Sequence, residues 1–241
     1  MDETIRIERL FGGYPGRTIF RDFSLSIAGP GLFTLIGPNG SGKSTFLKFL
    51  YRELKPQSGK ILLLGKDIGK YHREQIARIV SLVPQWGRIE YDFTVRDAVA
   101  MAGTGHVEES LAICNLSGKA ECSVMSLSGG EFQRTLIARA LAQDTPILLF
   151  DEPVNNLDIA YQISTLHLVK SLATEQGKLV ILVLHDLMMA QKYSDEVLLL
   201  DEGRLIAQGT AKEVITKERI EAVYHTPMRW DETNHLLTPV W

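Results

Sequence analysis

Nine consecutive residues, Gly37-Pro38-Asn39-Gly40-Ser41-Gly42-Lys43-Ser44-Thr45, have the composition of a phosphate cradle. Without Cβ atoms at Gly37, Gly40 and Gly42 the backbone can turn left-handed and aim successive N–H groups and a helix N-terminus at an anion. Lys43 would then reach the β and γ phosphates, and the Ser44 hydroxyl would ligate Mg²⁺. A second centre is the carboxylate pair Asp151-Glu152, which ends the apolar run Ile147-Leu148-Leu149-Phe150. Asp151 is suited to holding Mg²⁺ through water. Glu152, one residue nearer the γ-phosphate, is suited to orienting or deprotonating an attacking water. Two acids at a strand end are common on solvated edges, so this reading depends on the phosphate loop beside them.

Both centres need elements that hold them. Phe33 to Ile36 reads as a strand entering the loop, and Ser44 to about Leu54 as the helix leaving it. Ile147 to Phe150 reads as a buried parallel strand, whose carboxyl end falls where doubly wound sheets bind ligands. Leu179 to Leu184 and Val197 to Leu200 continue the pattern, separated by helices over Ile159 to Ala173 and Leu187 to Lys192. Ile5 to Leu10 and Ile19 to Ile27 read as antiparallel strands ahead of the loop. Pro56-Gln57-Ser58-Gly59 turns into another strand, Lys60 to Leu64. From Trp86 to about Ala142 strand signals stop, and Val95 to Met101 and Glu108 to Leu116 read as helices. The alternation and the phosphate loop predict an α/β fold: a P-loop NTPase core with a mixed, mainly parallel sheet, an N-terminal antiparallel β-subdomain and a helical subdomain. The expected organisation is one domain, 1–241, with 1–85 and 143–241 as nucleotide-binding core and 86–142 as helical subdomain.

Three further segments complete a set. Leu127-Ser128-Gly129-Gly130-Glu131 opens a helix carrying Phe132, Leu136, Ile137, Ala140 and Leu141 at helical spacing. Gln85 follows the strand Val80 to Val83, and His185 follows Leu184. Asn156-Leu157-Asp158 lies just after the carboxylates. In this order the chain resembles the nucleotide-binding subunit of an ATP-binding cassette (ABC) transporter, from Tyr14 to about Gly209.

The resemblance implies roles. Tyr14 matches the aromatic that stacks on adenine, although beside Gly13 and Pro15 it also reads as a turn residue. Gln85 matches the glutamine that touches Mg²⁺ or the attacking water, and His185 the histidine that contacts the γ-phosphate. The segment Leu127 to Glu131 matches the signature that completes the ATP site of an opposite subunit. There the Ser128 hydroxyl, the Gly130 N–H and the helix N-terminus face that γ-phosphate, and Asn156, Leu157 and Asp158 form the dimer's D-loop. The usual fifth signature residue is Gln, whereas this chain has Glu131, an acceptor-only side chain that could alter contacts across a dimer. ATP and Mg²⁺ are the implied cofactors. Implied partners are a second copy of the chain, integral-membrane permease subunits and, indirectly, a substrate-binding protein.

Composition bounds the rest. The 241 residues, 45% apolar, suffice for one substantial core without an internal repeat, so two sites require two chains. A net charge of −3 and a pI near 6.1 give no basic footprint for nucleic acid. No stretch reaches the roughly 18 apolar residues of a membrane span. The start, Met1-Asp2-Glu3-Thr4, lacks the order of a secretory signal. The expected location is therefore the cytoplasmic face of the cell membrane, held peripherally by another polypeptide. Cys114 and Cys122 form no metal or redox motif, and His72, His106, His167, His225 and His235 form no spaced ligand set.

Between Thr94-Val95-Arg96-Asp97 and Leu127 the helical part is shorter than is common in the family. Trp86 and apolar residues near Val95 and Val99 are candidates for the permease-docking surface, the alternative being that Trp86 packs internally. The runs Leu141 to Leu149 and Leu157 to Gln162 are similar to importers of iron siderophores, haem and cobalamin, with zinc or manganese import as the nearest rival. A soluble ABC ATPase of iron–sulfur cluster assembly, or a nucleotide-dependent clamp with negligible turnover, are readings from other classes. Intact Glu152 and His185 weigh against the clamp. Arg219 to Trp241 reads at most as a strand pair with Trp230 and Trp241 packed on the core.

Overall fold

A computed structural model describes residues 3–85, 87, 89, 91–103, 105–231 and 236–240. Met1, Asp2, Trp86, His235 and Trp241 lie outside them. The chain begins with β1 (Glu3–Tyr14), β2 (Arg17–Ala28) and β3 (Gly31–Ile36), then α1 (Lys43–Leu50), β4 (Ser58–Leu63), β5 (Lys66–Asp67), α2 (Arg73–Ala77) and β6 (Val80–Val83). A helical stretch follows: α3 (Val95–Ala100), α4 (Val107–Ile113) and α5 (Gly129–Leu141). Alternation then resumes with β7 (Ile147–Asp151), α6 (Ile159–Thr174), β8 (Leu179–Val183), α7 (Leu187–Tyr193), β9 (Glu196–Asp201) and β10 (Arg204–Gly209). The last elements are α8 (Ala211–Val214), α9 (Lys217–Tyr224), β11 (Met228–Asp231) and β12 (Leu236–Pro239).

The central sheet runs β10-β9-β3-β8-β7-β6. All neighbouring pairs are parallel except the β10–β9 hairpin at the edge. The inner strands β3, β7, β8 and β9 are buried on both faces, and their side chains alternate between two cores, as the two-residue period requires, while the edge strand β10 is partly exposed. Leu148 and Phe150 of β7 join Leu182 and Leu199 on the face covered by α5 and α6. Leu149, Ile181 and Leu198 join Phe46 and Phe49 of α1 and Phe20 and Phe23 of β2 on the other. The second core is closed by the antiparallel sheet β2-β1-β4-β5. This order sets β3, β8, β7 and β6 side by side, so the segments leaving their carboxyl ends converge: the glycine loop, His185, the carboxylates and Gln85.

Several expectations change. The helix after the loop stops at Leu50 rather than near Leu54, because Tyr51 caps it and Arg52 turns left-handed at φ 63°. The first strand runs through Gly12 and Gly13 to Tyr14. At Gly13 a Cβ would stand 2.3 Å from the Arg17 carbonyl oxygen, so glycine permits the tight return into β2. Val95 and Val99 are fully buried against Leu111 and Ile137, which removes both from any docking surface. At the C-terminus the strand pair β11–β12 forms, but Trp230 is 45% exposed and not packed on the core. Met228 and Leu237 fill that place, and two helices, α8 and α9, precede the pair. Both helices begin at threonine caps: Thr210 accepts from the Glu213 N–H and Thr216 from the Arg219 N–H.

Candidate nucleotide site

The glycine loop has the backbone its composition predicts. Gly37, Gly40 and Gly42 have φ values of 149°, 84° and 109°. At Gly37 a Cβ would approach the Leu200 carbonyl oxygen to 2.1 Å, so its smallness seats the loop on β9. At Gly40 a Cβ would meet nothing within 4 Å, and that edge faces open space. Gly42 begins α1 without a side-chain cap, leaving the first N–H groups of the helix available to an anion. Lys43 is buried, 6% exposed, and its Nζ donates to the carbonyls of Gly37 at 2.8 Å and Pro38 at 3.1 Å. Burial holds the ammonium below its ordinary pKa, while Glu152 and then Asp151 pull in the opposite direction. Two of its three donors are thus spent on bracing the loop, and the third remains for a phosphate.

The Ser44 hydroxyl donates to Asp151 Oδ1 at 3.1 Å. Burial raises the Asp151 carboxyl above the usual range, partly offset by that Ser44 hydrogen bond. Two hard oxygen ligands therefore stand side by side at the phosphate end of the loop, a donor set that fits Mg²⁺. Glu152 leaves the strand in a left-handed conformation, φ 52°, which aims its 9%-exposed side chain across the sheet edge. Three groups meet it. His185 Nε2 lies 2.5 Å from Oε1, Gln85 Nε2 donates to Oε2 at 2.6 Å, and the Asn155 side-chain amide donates to the same Oε2. Asn155 was absent from the expected site. It stands three residues past the carboxylate, in a turn closed by the Asn155 N–H on the Glu152 carbonyl at 3.2 Å, and no sequence signal marks it.

A cleft of about 200 Å³ lies over the loop, walled by Tyr14, Arg17, Asn39, Gly40, Lys43 and Glu152 among others, with Ser44 and Thr45 on its lining too. Tyr14 is the last residue before the Pro15-Gly16 turn and also forms a wall of this cleft. Arg17, across the hairpin end from Tyr14, adds a cation that the sequence did not single out. Ser41 is buried at 2% exposure, and its N–H closes the loop on the Pro38 carbonyl at 3.2 Å.

Residues 127–131 do not line this cleft. Ser128 caps α5 in a reciprocal box. Its Oγ accepts the Glu131 N–H at 3.4 Å, while Glu131 Oε2 takes both the Ser128 N–H and its hydroxyl at 3.0 Å. Leu127 packs on the core beneath. The two glycines differ: a Cβ on Gly130 would stand 2.2 Å from the Tyr161 ring, whereas on Gly129 its nearest neighbour would be Leu157, 4.0 Å away. Asn156 is left-handed at φ 60°, Leu157 approaches Gly129, and Asp158 caps α6 by accepting the Tyr161 N–H at 3.0 Å.

A buried lysine in a glycine loop, a hydroxyl–carboxylate pair and a tethered glutamate at one parallel-sheet edge define a nucleoside-triphosphate-hydrolysing core. The chain belongs to the ABC transporter family, whose sequence profile matches residues 20–155, and it is an ATP-binding ATPase. It is 36% identical to the hemin import ATP-binding protein HmuV of Shewanella denitrificans, across 93% of this chain and 94% of that one. It is 37% identical to the ferric enterobactin transport ATP-binding protein FepC of Escherichia coli, across 91% and 86% of the two chains. Among solved structures, it aligns with an inward-facing metal-chelate type ABC transporter at a TM-score of 0.85 and 26% identity, covering 100% of this chain and 98% of that one. An ATP-bound Atm1-family exporter aligns at 0.80 and 28%, over 91% of this chain and 41% of the exporter's. Among the described residues no helix is long and apolar enough to cross a membrane.

Proposed function

We propose that this chain energises import of a metal chelate, such as an iron siderophore, haem or cobalamin, through separate membrane permease subunits. The hemin and ferric enterobactin import relatives support that cargo class. In this reading the chain sits peripherally on the cytoplasmic face, and a substrate-binding protein delivers cargo from the other side.

The observation that carries the catalytic reading is the buried Glu152 carboxylate held beside Lys43 and the Ser44–Asp151 pair. Tyr14 offers its ring to adenine. The loop from Gly37 to Thr45 cradles the phosphates, with Lys43 turned toward the β and γ groups. Ser44, Asp151 and Gln85 would hold Mg²⁺, which would supply positive charge to offset that of the phosphates. Glu152 accepts the proton of the attacking water, and His185 contacts the γ-phosphate. For Gln85 and His185 to take these positions, both must leave the carboxylate they share here.

Two copies close head to tail, each presenting its Ser128 end and the segment Asn156-Leu157-Asp158 to the other's Lys43 cleft. Ile159, 72% exposed immediately behind that segment, supports a surface that is covered on closure. Hydrolysis reopens the pair, and residues 86–142 act as a unit that transmits the movement to the permease. With Val95 and Val99 buried, docking falls instead to the groove of about 450 Å³ formed by Tyr51, Arg52, Arg73 and Ile76 beside β6, the strand that leads to Gln85.

The test is copurification with a membrane protein, reconstitution in vesicles with the substrate-binding protein, and ATPase measured against a panel of chelates. Stimulation by one chelate is the expected result. Full activity of the chain alone, with no membrane partner retained, would overturn the transport reading.

A further inference from the structure

Glu131 puts a negative charge where the two-chain reading brings in the partner's triphosphate. In this chain Glu131 Oε2 already holds both the N–H and the hydroxyl of Ser128. Its other oxygen, Oε1, lies 3.2 Å from Lys119 Nζ. Lys119 does not belong to α5. It ends a single 3₁₀ turn, Ser117–Lys119, fixed in place because the Lys119 N–H donates to the Leu116 carbonyl at 2.8 Å and its own carbonyl accepts the Cys122 N–H at 2.9 Å. The pair is half open to solvent, with side-chain exposures of 49% for Lys119 and 25% for Glu131. On this surface the pair adds little to monomer stability. Closure of a second copy over it would exclude water and strengthen every charge interaction there.

We propose that Lys119 is a positioning residue for the ATP site completed by a second copy of this chain. It keeps Glu131 turned onto Ser128 and offsets the carboxylate's charge, so that the partner's γ-phosphate can approach the Ser128 hydroxyl. This rests on the head-to-tail pairing proposed above. Without a cation on Oε1, the Glu131 charge stands within one hydroxyl of the arriving phosphate and opposes the attraction of the α5 N-terminus. With Lys119 in place, the end of α5 is locally neutral and the helix N-terminus acts on the phosphate. When the Ser128 proton turns from Glu131 Oε2 to the phosphate, the Ser128 N–H stays on Oε2 and the cap persists. The titration of both groups accords with the pairing: the Glu131 hydrogen bond holds the Lys119 ammonium above its ordinary value. The Ser128 N–H first, and Lys119 next, hold the Glu131 carboxyl below its own.

The experiment uses the full chain carrying Glu152→Gln, expected to slow turnover, in five versions: unchanged, Lys119→Met, Lys119→Arg, Glu131→Gln, and Lys119→Met with Glu131→Gln. The readout is the ATP concentration that half-converts monomer to dimer with Mg²⁺ present, by light scattering after size exclusion. Lys119→Met should raise that concentration about fivefold when Glu131 is present and leave it within about twofold when Gln is at 131. Lys119→Arg should restore dimerisation. Nucleotide affinity of the dilute monomer, which uses only the Lys43 cleft, should not move, and this separates positioning of the second half-site from general damage. Equal effects of Lys119→Met with Glu or Gln at 131, or no effect with Glu131, overturn the proposal while leaving the pairing intact. A Glu152→Gln parent that stays monomeric at saturating ATP overturns the pairing and this proposal together.

Discussion

The Lys43 cleft and the Ser128 end of α5 are both helix N-termini, each assigned to phosphate in the proposed function, yet they are built in opposite ways. At the first, Gly42 supplies no cap, the N–H groups are left open, and the buried cation is braced on carbonyls of its own loop. At the second, Ser128 and Glu131 satisfy each other and the surroundings are exposed. Burying Lys43 and Asp151 with their charges disfavoured costs stability in the free protein, and such a cost is the mark of a site prepared before its ligand arrives. The Ser128 end carries no such cost. It is stable alone and must surrender a hydrogen bond to act, which suits a part that engages only when another molecule reaches it.

The comparison breaks if the Lys43 side is not where the chemistry resides. Glu152→Gln should keep nucleotide binding and slow hydrolysis by about 10²-fold or more, while trapping the closed pair. Turnover equal to the parent's, measured by phosphate release, would remove Glu152 as the proton acceptor. Next in size, Lys43→Ala should weaken ATP binding by about 10- to 100-fold, the worth of charge-assisted hydrogen bonds to phosphate. Titration of a fluorescent nucleotide reads this directly, and unchanged affinity would mean that the lysine serves the loop alone. Smaller still, Asn155→Ala should lower kcat about tenfold with little change in KM. It removes one of the two amide donors on Glu152 Oε2, leaving Gln85 there, without touching the phosphate loop. A change confined to KM would show that Asn155 acts in binding instead.

How much of this was legible in the sequence follows the same division. Continuous apolar runs, buried on both faces of β3, β7, β8 and β9, made the sheet readable, and the residues at its carboxyl edge came with it. Asn155 was not readable, because nothing in the run from Pro153 to Asn156 says that Glu152 turns left-handed and folds back toward an amide three residues on. Val95 and Val99 misled for the converse reason. Apolar residues near a docking region suit an interface and a core equally, and only the packing of Leu111 and Ile137 against them separates the two. At the C-terminus the capping threonines Thr210 and Thr216 were visible signals for α8 and α9. Trp230 drew attention as the largest apolar residue, whereas β11 buries Met228 at its start and leaves Trp230 exposed.

The smallest effect sharpens the comparison most, since it separates the two glycines within the Ser128 end. Gly130 is backed by the Tyr161 ring at a distance no Cβ can share, so Gly130→Ala must displace that ring from its seat on α5. It should lower monomer stability by about 1–3 kcal/mol, read as a fall in Tm without nucleotide. Gly129 has no neighbour close enough to object, and its φ is not among the positive ones. Gly129→Ala should therefore raise monomer stability by about 0.4–1 kcal/mol through the unfolded chain, yet, under the proposed head-to-tail pairing, weaken ATP-driven association by placing a methyl group on the face that pairing would cover. If Gly129→Ala paired as well as the parent, that face would have room to spare, and the glycine would be a feature of the helix start alone. Opposite signs in stability with a shared loss of pairing would instead place Gly130 as the seat of α5 on α6 and Gly129 as the surface that the partner's nucleotide meets.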